Sequence, residues 1–210
     1  TAIGSNVLRI NDTGSENVGV GSYVLSNNNA SHNTAIGSLS MYLNDTGFRN
    51  SALGYQSLQS NDDGSDNVAI GYYALFNNNI SQNIAIGSSA LYTNVAGVRL
   101  TAIGYNALYS NTTNGNDNVA VGHRTLYTNT TGYSNISMGT VALYCNLTGY
   151  QNIAIGEAAL LSNSTSSNNV AIGYNALNKN TVSENTAIGS SALFTNYGGL
   201  RLTAVGFNSL

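Results

Sequence analysis

Side chains capable of catalysis or metal binding are scarce in this sequence and lie far apart along it. His32, His123 and Cys145 have no partners at the spacings typical of a metal site, or of a nucleophile and its base. A single cysteine also excludes an internal disulfide. We therefore predict a protein that is not an enzyme and that has no catalytic residues, cofactor or metal site.

Two short segments resemble known ligand loops only in part. The acidic segment 62–66 holds Asp62, Asp63, Gly64 and Asp66, as in a fragment of a calcium loop. The ligand pattern is incomplete and does not recur along the chain, so these acids are interpreted as a solvated turn. The Gly-x-Gly of residues 19–21 falls in a predicted strand rather than in a phosphate-binding loop.

The composition of the 210-residue chain narrows the function further. Only 7% of residues are charged, against about 25% in ordinary proteins. Six Lys and Arg and a net charge of −3 argue against a nucleic-acid partner. No apolar run reaches the roughly 18 residues that a membrane helix needs, and no basic-then-apolar leader opens the sequence, so we predict no membrane insertion.

An internal repeat organises the whole sequence. The glycine of an Ala-Ile-Gly tripeptide, or of a close variant, returns every 16, 17 or 18 residues. We number each unit from the residue before the Ala, so that Thr101 is position 1 and Gly104 is position 4. Residues 1–210 then form one uninterrupted array of twelve full units and a partial thirteenth, which we interpret as a segment of a longer fibre. The predicted corner glycines are Gly4, Gly21, Gly37, Gly54, Gly71, Gly87, Gly104, Gly122, Gly139, Gly156, Gly173, Gly189 and Gly206.

A longer period groups the units in threes, which gives a super-repeat of about 51 residues. Residues 94–104 return six units later as residues 196–206, and Asn77–Asn79 repeats Asn27–Asn29 three units earlier. This leaves two geometries open. One unit could form one rung, giving twelve rungs over about 58 Å, or three units could form one larger rung.

Each unit predicts two short strands separated by a bend. The segments are too short and too rich in Gly and Asn for helices, so the fold class is all-β. Position 3 is a large apolar residue in every unit, and position 8 is Leu except at Met41. We expect a bend at the glycine to turn both side chains inward, so that stacked units share one apolar seam in an elongated β-solenoid.

Asparagine is the commonest residue, with 34 copies, and it occupies fixed positions in the unit. Most units also end in Asn, except where Leu100 and Leu202 replace it. Neutral amides can bond to their equivalents in adjacent rungs without the repulsion that stacked charges suffer, so a structural ladder is favoured over a carbohydrate or ion site on every rung. The predicted ladder at position 11 comprises Asn11, Asn28, Asn44, Asn61, Asn78, Asn94, Asn111, Asn129, Asn146, Asn163, Asn180 and Asn196.

A family resemblance rests on the segments that join the end of one unit to the next. Asn-Thr-Ala-Ile-Gly (33–37 and 185–189) and Asn-Val-Ala-Ile-Gly (67–71 and 169–173) resemble the head repeats of trimeric autotransporter adhesins, and the longer unit resembles arrays in tail-fibre-like proteins. The resemblance covers the whole chain. It implies a left-handed β-roll or β-helix, usually trimeric, that serves attachment or spacing at a cell or virion surface. The unit of about 17 residues is longer than the adhesin period, and neither an anchor nor a chaperone domain is present in the sequence.

Aromatic residues recur at two positions of the unit. A row of rings can stack on sugars, but packing against neighbouring rungs or subunits is the commoner role and is the one we favour. Position 9 holds Tyr42, Phe76, Tyr92, Tyr109, Tyr127, Tyr144 and Phe194, and position 5 holds Tyr55, Tyr72, Tyr105, Tyr174 and Phe207.

Nine Asn-x-Ser/Thr sequons fall mostly in predicted turns, where a glycan could be accommodated. Many such sequons arise by chance in a chain with this composition. The candidate N-glycosylation sites are Asn11, Asn29, Asn44, Asn79, Asn111, Asn129, Asn135, Asn146 and Asn163.

The sequence therefore favours a structural role outside the cell, at a cell surface or on a virion. The first hypothesis is the shaft of an adhesive fibre that associates with itself, as a homotrimer because small Ala faces permit close approach. The second is a protomer that polymerises end to end into an extracellular, possibly glycosylated fibril. The third is a module that binds surface glycans, for instance on a host cell, through its tyrosine rows.

Overall fold

The computed structural model describes residues 1–210 as an all-β protein without helices, and the predicted β-solenoid is confirmed. Nineteen short strands follow one another along the chain. They are β1 (Ala2–Ser5), β2 (Val18–Ser22), β3 (Thr34–Ile36), β4 (Ser51–Leu53), β5 (Val68–Ile70), β6 (Asn77–Asn78), β7 (Ile84–Ile86), β8 (Thr93–Asn94), β9 (Thr101–Ile103), β10 (Ser110–Asn111), β11 (Val119–Val121), β12 (Thr128–Asn129), β13 (Ile136–Met138), β14 (Ile153–Ile155), β15 (Val170–Ile172), β16 (Lys179–Asn180), β17 (Thr186–Ile188), β18 (Thr195–Asn196) and β19 (Thr203–Val205).

One wall of the solenoid is a parallel sheet of 13 strands, built from positions 1–3 of every unit. Each strand pairs with the equivalent strand of the next unit, so that Ala102 lies beside Ala85 on one side and Ala120 on the other. One unit therefore forms one rung, which decides between the two geometries left open by the sequence. At about 4.8 Å per rung, twelve steps extend roughly 58 Å.

Positions 10 and 11 form a second, weaker wall. Strands β6, β8, β10 and β12 make one parallel sheet, and β16 and β18 make another. Isolated parallel bridges, such as Ile10 to Asn27 and Leu43 to Ser60, continue the same alignment through the first rungs. Both walls are thus stacked in the same register.

The apolar core lies between the walls and differs from the sequence prediction in one respect. Position 8 is buried as expected, for example at Leu108, and so is the small residue at position 7, for example at Ala107. The third member of the core is the alanine of position 2, such as Ala102, whereas the large residue of position 3 points outward. The prediction that Ile and Leu share one inner seam was therefore wrong for the Ile.

The reason for this difference is the alternation of side chains along a strand. Positions 1 and 3 have the same parity, so both face outward when position 2 faces inward. The bend after the glycine does not reverse this alternation, because it begins only beyond position 3. Alanine fits the inner side, where the strand runs close to the buried leucines.

The bend itself uses left-handed backbone at positions 6 and 8 of every unit. The residues at position 8, which are Leu in every unit except for Met41, have φ between 45° and 59°. This conformation costs a non-glycine residue roughly 1–2 kcal/mol, which burial of a Leu side chain, worth about 1.5–3 kcal/mol, can offset.

The two left-handed residues of each bend donate their backbone N–H groups in opposite directions along the stack. The N–H of Asn106 donates to the Ser88 carbonyl of the preceding rung (3.0 Å), and the N–H of Leu108 donates to the Thr125 carbonyl of the following rung (2.9 Å). The bend is therefore bonded to both neighbouring rungs.

The corner glycine allows the rungs to approach closely at the start of the bend. All 13 corner glycines have φ between 124° and 141°, a region that other residues rarely adopt. A Cβ on Gly104 would lie 2.4 Å from the carbonyl oxygen of Gly122 in the next rung. Any side chain at this position would push the rungs apart.

Candidate interaction surface

The isolated reactive residues remain isolated in the folded chain. No three His, Cys, Asp or Glu residues form a group that could hold a metal ion. His32 lies 3.1 Å from the carboxylate of Glu16, and His123 stacks on Tyr105. Cys145 is half-buried, which raises the pKa of its thiol.

Two carboxylates of the acidic segment 62–66, those of Asp63 and Asp66, have separate partners. Asp66 accepts hydrogen bonds from the guanidinium of Arg49, the shorter 2.6 Å long, and this contact lowers the pKa of the Asp66 carboxyl. Asp63 accepts a hydrogen bond from the hydroxyl of Thr46 at 2.7 Å. These contacts join one rung to the next and do not converge on a common centre.

Amide side chains at position 11 form a ladder inside the solenoid. The Nδ2 of Asn129 donates to Oδ1 of Asn111 in the preceding rung (2.8 Å) and to the carbonyl of Gly132 in its own turn (2.8 Å). Asn146 repeats the same pair of bonds one rung later, with Asn129 and Gly149 as acceptors. Because these amides have partners within and between rungs, the buried polar groups of the position-11 ladder are satisfied.

The last residue of each unit forms a second amide ladder. Oδ1 of Asn135 accepts from the backbone N–H of Asn152 (3.0 Å), and its Nδ2 donates to the carbonyl of Gly149 (2.9 Å), both in the next rung. Leu100 replaces the amide with a buried apolar side chain, and its own N–H still donates to Oδ1 of Asn83. Leu202 occupies the same position near the end of the array.

The ladders leave little room for N-linked glycans. Six sequon asparagines are completely buried, with Nδ2 donating within the stack, so that a glycan there would prevent the rungs from closing. Asn79 is exposed, Asn29 is half-buried with its Nδ2 bonded to Asp45, and Asn11 lies in the first rung. The six buried sequon asparagines are Asn44, Asn111, Asn129, Asn135, Asn146 and Asn163.

Aromatic rings at position 9 form a continuous stack along the solenoid axis. Phe76, Tyr92, Tyr109, Tyr127 and Tyr144 are nearly parallel, with centroids 5.0–5.1 Å apart and interplanar angles of 3–12°. The expected packing between neighbouring rungs is confirmed. Since the ring faces inside the stack cover one another, only ring edges remain for solvent, whereas sugars stack on aromatic faces.

Charged residues gather at the penultimate position of the units, at the rim of the 13-stranded wall. Three ion pairs and one contact between a histidine and a carboxylate join successive rungs there, and all are exposed. The ion pairs join Arg49 with Asp66, Arg99 with Asp117 and Glu184 with Arg201, and the histidine contact joins His32 with Glu16.

The outer face of the 13-stranded wall is a long surface without charge. We use the name outer face for the side chains of positions 1 and 3, which are all Thr, Ser, Val, Ile, Leu or Met. Ile70 is 38% exposed, Leu53 48% and Ile155 36%, although all three lie in the middle of a sheet. The face is about 58 Å long and roughly 10 Å wide, an area of about 600 Å², and the apolar side chains of position 3 run along its whole length.

Sequence reasoning missed this surface because it assigned position 3 to the core. The signal was present in the alternation within the strand, where a variable residue at position 1 and a large apolar residue at position 3 flank a nearly invariant small one. A residue that stays small while its neighbours vary marks the side with least space.

In comparisons with known proteins, no family model, no curated protein and no solved structure matches the chain. No helix long and apolar enough to cross a membrane is found in the structure.

Proposed function

We propose that the chain is a shaft segment of an extracellular adhesive fibre, whose copies associate side by side through the outer face. The observation that carries this proposal is the unbroken strip of apolar side chains at position 3 along all 13 strands. A continuous row of large apolar side chains that stays partly exposed is typical of a surface that becomes buried against a partner.

A second copy of the same chain suits the strip for two physical reasons. Its rungs repeat at the same spacing of about 4.8 Å, so side chains of two copies can interdigitate along the whole length. Neither copy carries a charge on this face, so no like charges meet. The area of about 600 Å² per chain approaches the roughly 800 Å² per partner of a standard interface.

The outer face replaces the alanines as the basis for lateral association. The alanines of position 2 lie inside the solenoid and cannot contact another chain. Three copies around one axis is the arrangement that we propose, and the ladders inside each copy would give the assembly its stiffness.

The test changes the outer face without touching the interior. Ile70→Lys, Ile103→Lys and Ile155→Lys together place three charges on the strip, and these side chains already point outward. We expect the unchanged chain to sediment as three copies of 21.8 kDa and the triple variant to sediment as one, with the same β-type circular dichroism.

A matched control adds three lysines to the second wall, where Lys179 is naturally exposed. Asn77→Lys, Ser110→Lys and Ser162→Lys occupy the same position 10 as Lys179 and should leave the assembly intact. An unchanged chain that sediments as a single copy at every concentration would refute the lateral association. Micrometre-long filaments in negative stain would favour the end-to-end fibril instead.

A further inference from the structure

The amide ladder at the last position of the units is interrupted in a regular way. In units 1–3 the Nδ2 of Asn17, Asn33 and Asn50 donates to a turn carbonyl of the next rung, at 2.8 Å in each case. Units 7–9 repeat this pattern at Asn118, Asn135 and Asn152, with distances of 2.8–2.9 Å. These six cross-rung bonds tie the turns of successive rungs together.

The intervening units lack the same bond. The Nδ2 of Asn67 and that of Asn169 are buried and have no protein acceptor. Asn83 and Asn185 instead donate to carbonyls of their own turns, Ile80 and Ser183 among them. The remaining two units end in leucine, at Leu100 and Leu202. Three bonded units thus alternate with three unbonded ones, over a period of six rungs.

A backbone bond is missing at two of the same places. The N–H of the penultimate residue normally donates to the preceding rung, as Asp66 does to Phe48 and Gln151 does to Tyr133. The N–H of Arg99 and that of Arg201 make no such bond. Both bonds are therefore absent between units 5 and 6 and again between units 11 and 12.

The strands remain paired where these bonds are missing. Between units 5 and 6, β5 pairs with β7 and β6 pairs with β8. The turn side of this junction keeps the bond from the N–H of Leu100 to Oδ1 of Asn83, and the turn that follows leaves Val95 59% exposed. Units 11 and 12 keep more ties on the turn side, because the Glu184–Arg201 ion pair and a hydrogen bond from the Thr181 hydroxyl to the Tyr197 carbonyl also join them.

We propose that the solenoid has a built-in hinge between units 5 and 6, at which the turn side opens while both walls stay paired. A rod with ties missing along one edge bends away from that edge first. A stiff array can therefore curve at this junction without losing its stacked strands.

Native-state hydrogen exchange of the full chain, read by mass spectrometry, tests this directly. Loss of one or two hydrogen bonds predicts about 5–10-fold faster exchange in the hinge turn, residues 95–99, than in turns 46–50 and 147–151. Strand β7, beside the hinge, should exchange as slowly as β3 and β14. Equal exchange in all three turns, or fast exchange that extends into β7, would overturn the hinge.

A pair of variants separates the hinge from a general loss of stability. Asn33→Leu removes the cross-rung bond to Gly47, and we expect turn 46–50 to exchange as fast as a hinge turn. Asn83→Leu removes an equivalent amide that has no cross-rung donor bond, so turn 95–99 should change little. A similar acceleration in both variants would show that the missing bond does not define the hinge.

Discussion

The two halves of the solenoid interior stack the same rungs by different forces. The half beside the 13-stranded wall is apolar, and its positions accept Met41 in place of Leu, and Val24 or Thr125 in place of Ala. The half beside the turns is polar, and position 11 is Asn in all twelve units that reach it. Apolar contact depends on volume and has no direction, whereas each ladder amide must place both a donor and an acceptor.

The difference shows where this fold tolerates change. A smaller or differently shaped apolar residue loses contact area in its own rung. A lost ladder amide leaves buried polar groups without partners in the rungs on both sides, and each such group costs about 1–3 kcal/mol.

A charge in the amide ladder should have the largest effect. Asn129→Asp keeps the shape of the side chain but places an acceptor opposite Oδ1 of Asn111, and we expect a loss of about 3–5 kcal/mol in the free energy of unfolding at neutral pH. Burial raises the pKa of such a carboxyl above its unfolded value. The protonated form can donate to Asn111, so stability should recover as the pH falls through the folded-state pKa.

Urea unfolding of this variant at neutral and acid pH measures the effect. Asn77→Asp, at an exposed position of the same wall, is the matched control and should change stability little at either pH. A similar loss in both variants would mean that the ladder has no special demand for a neutral amide.

Truncation in the apolar half should have a smaller and more graded effect. Leu126→Ala, in the same rung as Asn129, should cost about 2–5 kcal/mol because it leaves a cavity in the leucine column. Leu126→Met should cost less than about 1.5 kcal/mol, because Met41 already fills this position in another rung. Thermal unfolding measures the stability of both variants. Equal destabilisation of the two would contradict this reasoning.

Left-handed backbone allows burial and strain to be separated within this half. Val141 at position 6 and Leu143 at position 8 have φ of 48° and 49°, but only Leu143 is fully buried. Asparagine tolerates this conformation, so Val141→Asn should stabilise the chain by up to about 1 kcal/mol. Leu143→Asn should destabilise it, because the buried amide would lack partners. Stabilisation by both substitutions would show that strain outweighs burial.

The surface ion pairs should matter least. Arg99 lowers the pKa of the Asp117 carboxyl through their hydrogen bond, below the ordinary value of 3.8. The pair therefore stabilises the fold above pH 3.8, and this small contribution is lost as the pH falls through the lowered folded-state pKa. Asp117→Asn should flatten the acid limb of the stability profile slightly, and a profile identical to that of the unchanged chain would show that the pair contributes nothing.

The repeat predicted the all-β class and the stacking of the units, because every unit has nearly the same length and composition and therefore the same preferred conformation. It did not predict which side of the first strand is buried. Ile103 and Ala102 compete for the interior, and the spacing between the two walls, which a single unit does not reveal, selects the smaller residue.

Backbone conformation at Leu108 was also beyond the sequence. Leucine rarely adopts positive φ, so no local preference points to it. The left-handed bend exists because neighbouring rungs accept its N–H groups, and such a cause is visible only once the rungs are stacked.

The alanine of position 2 has a consequence for the size of the object. With only a methyl group on the inner side of each main strand, the strand lies close against the column of buried leucines. Adding units lengthens the rod but leaves its girth unchanged, so a thicker cable can be made only by laying further rods alongside.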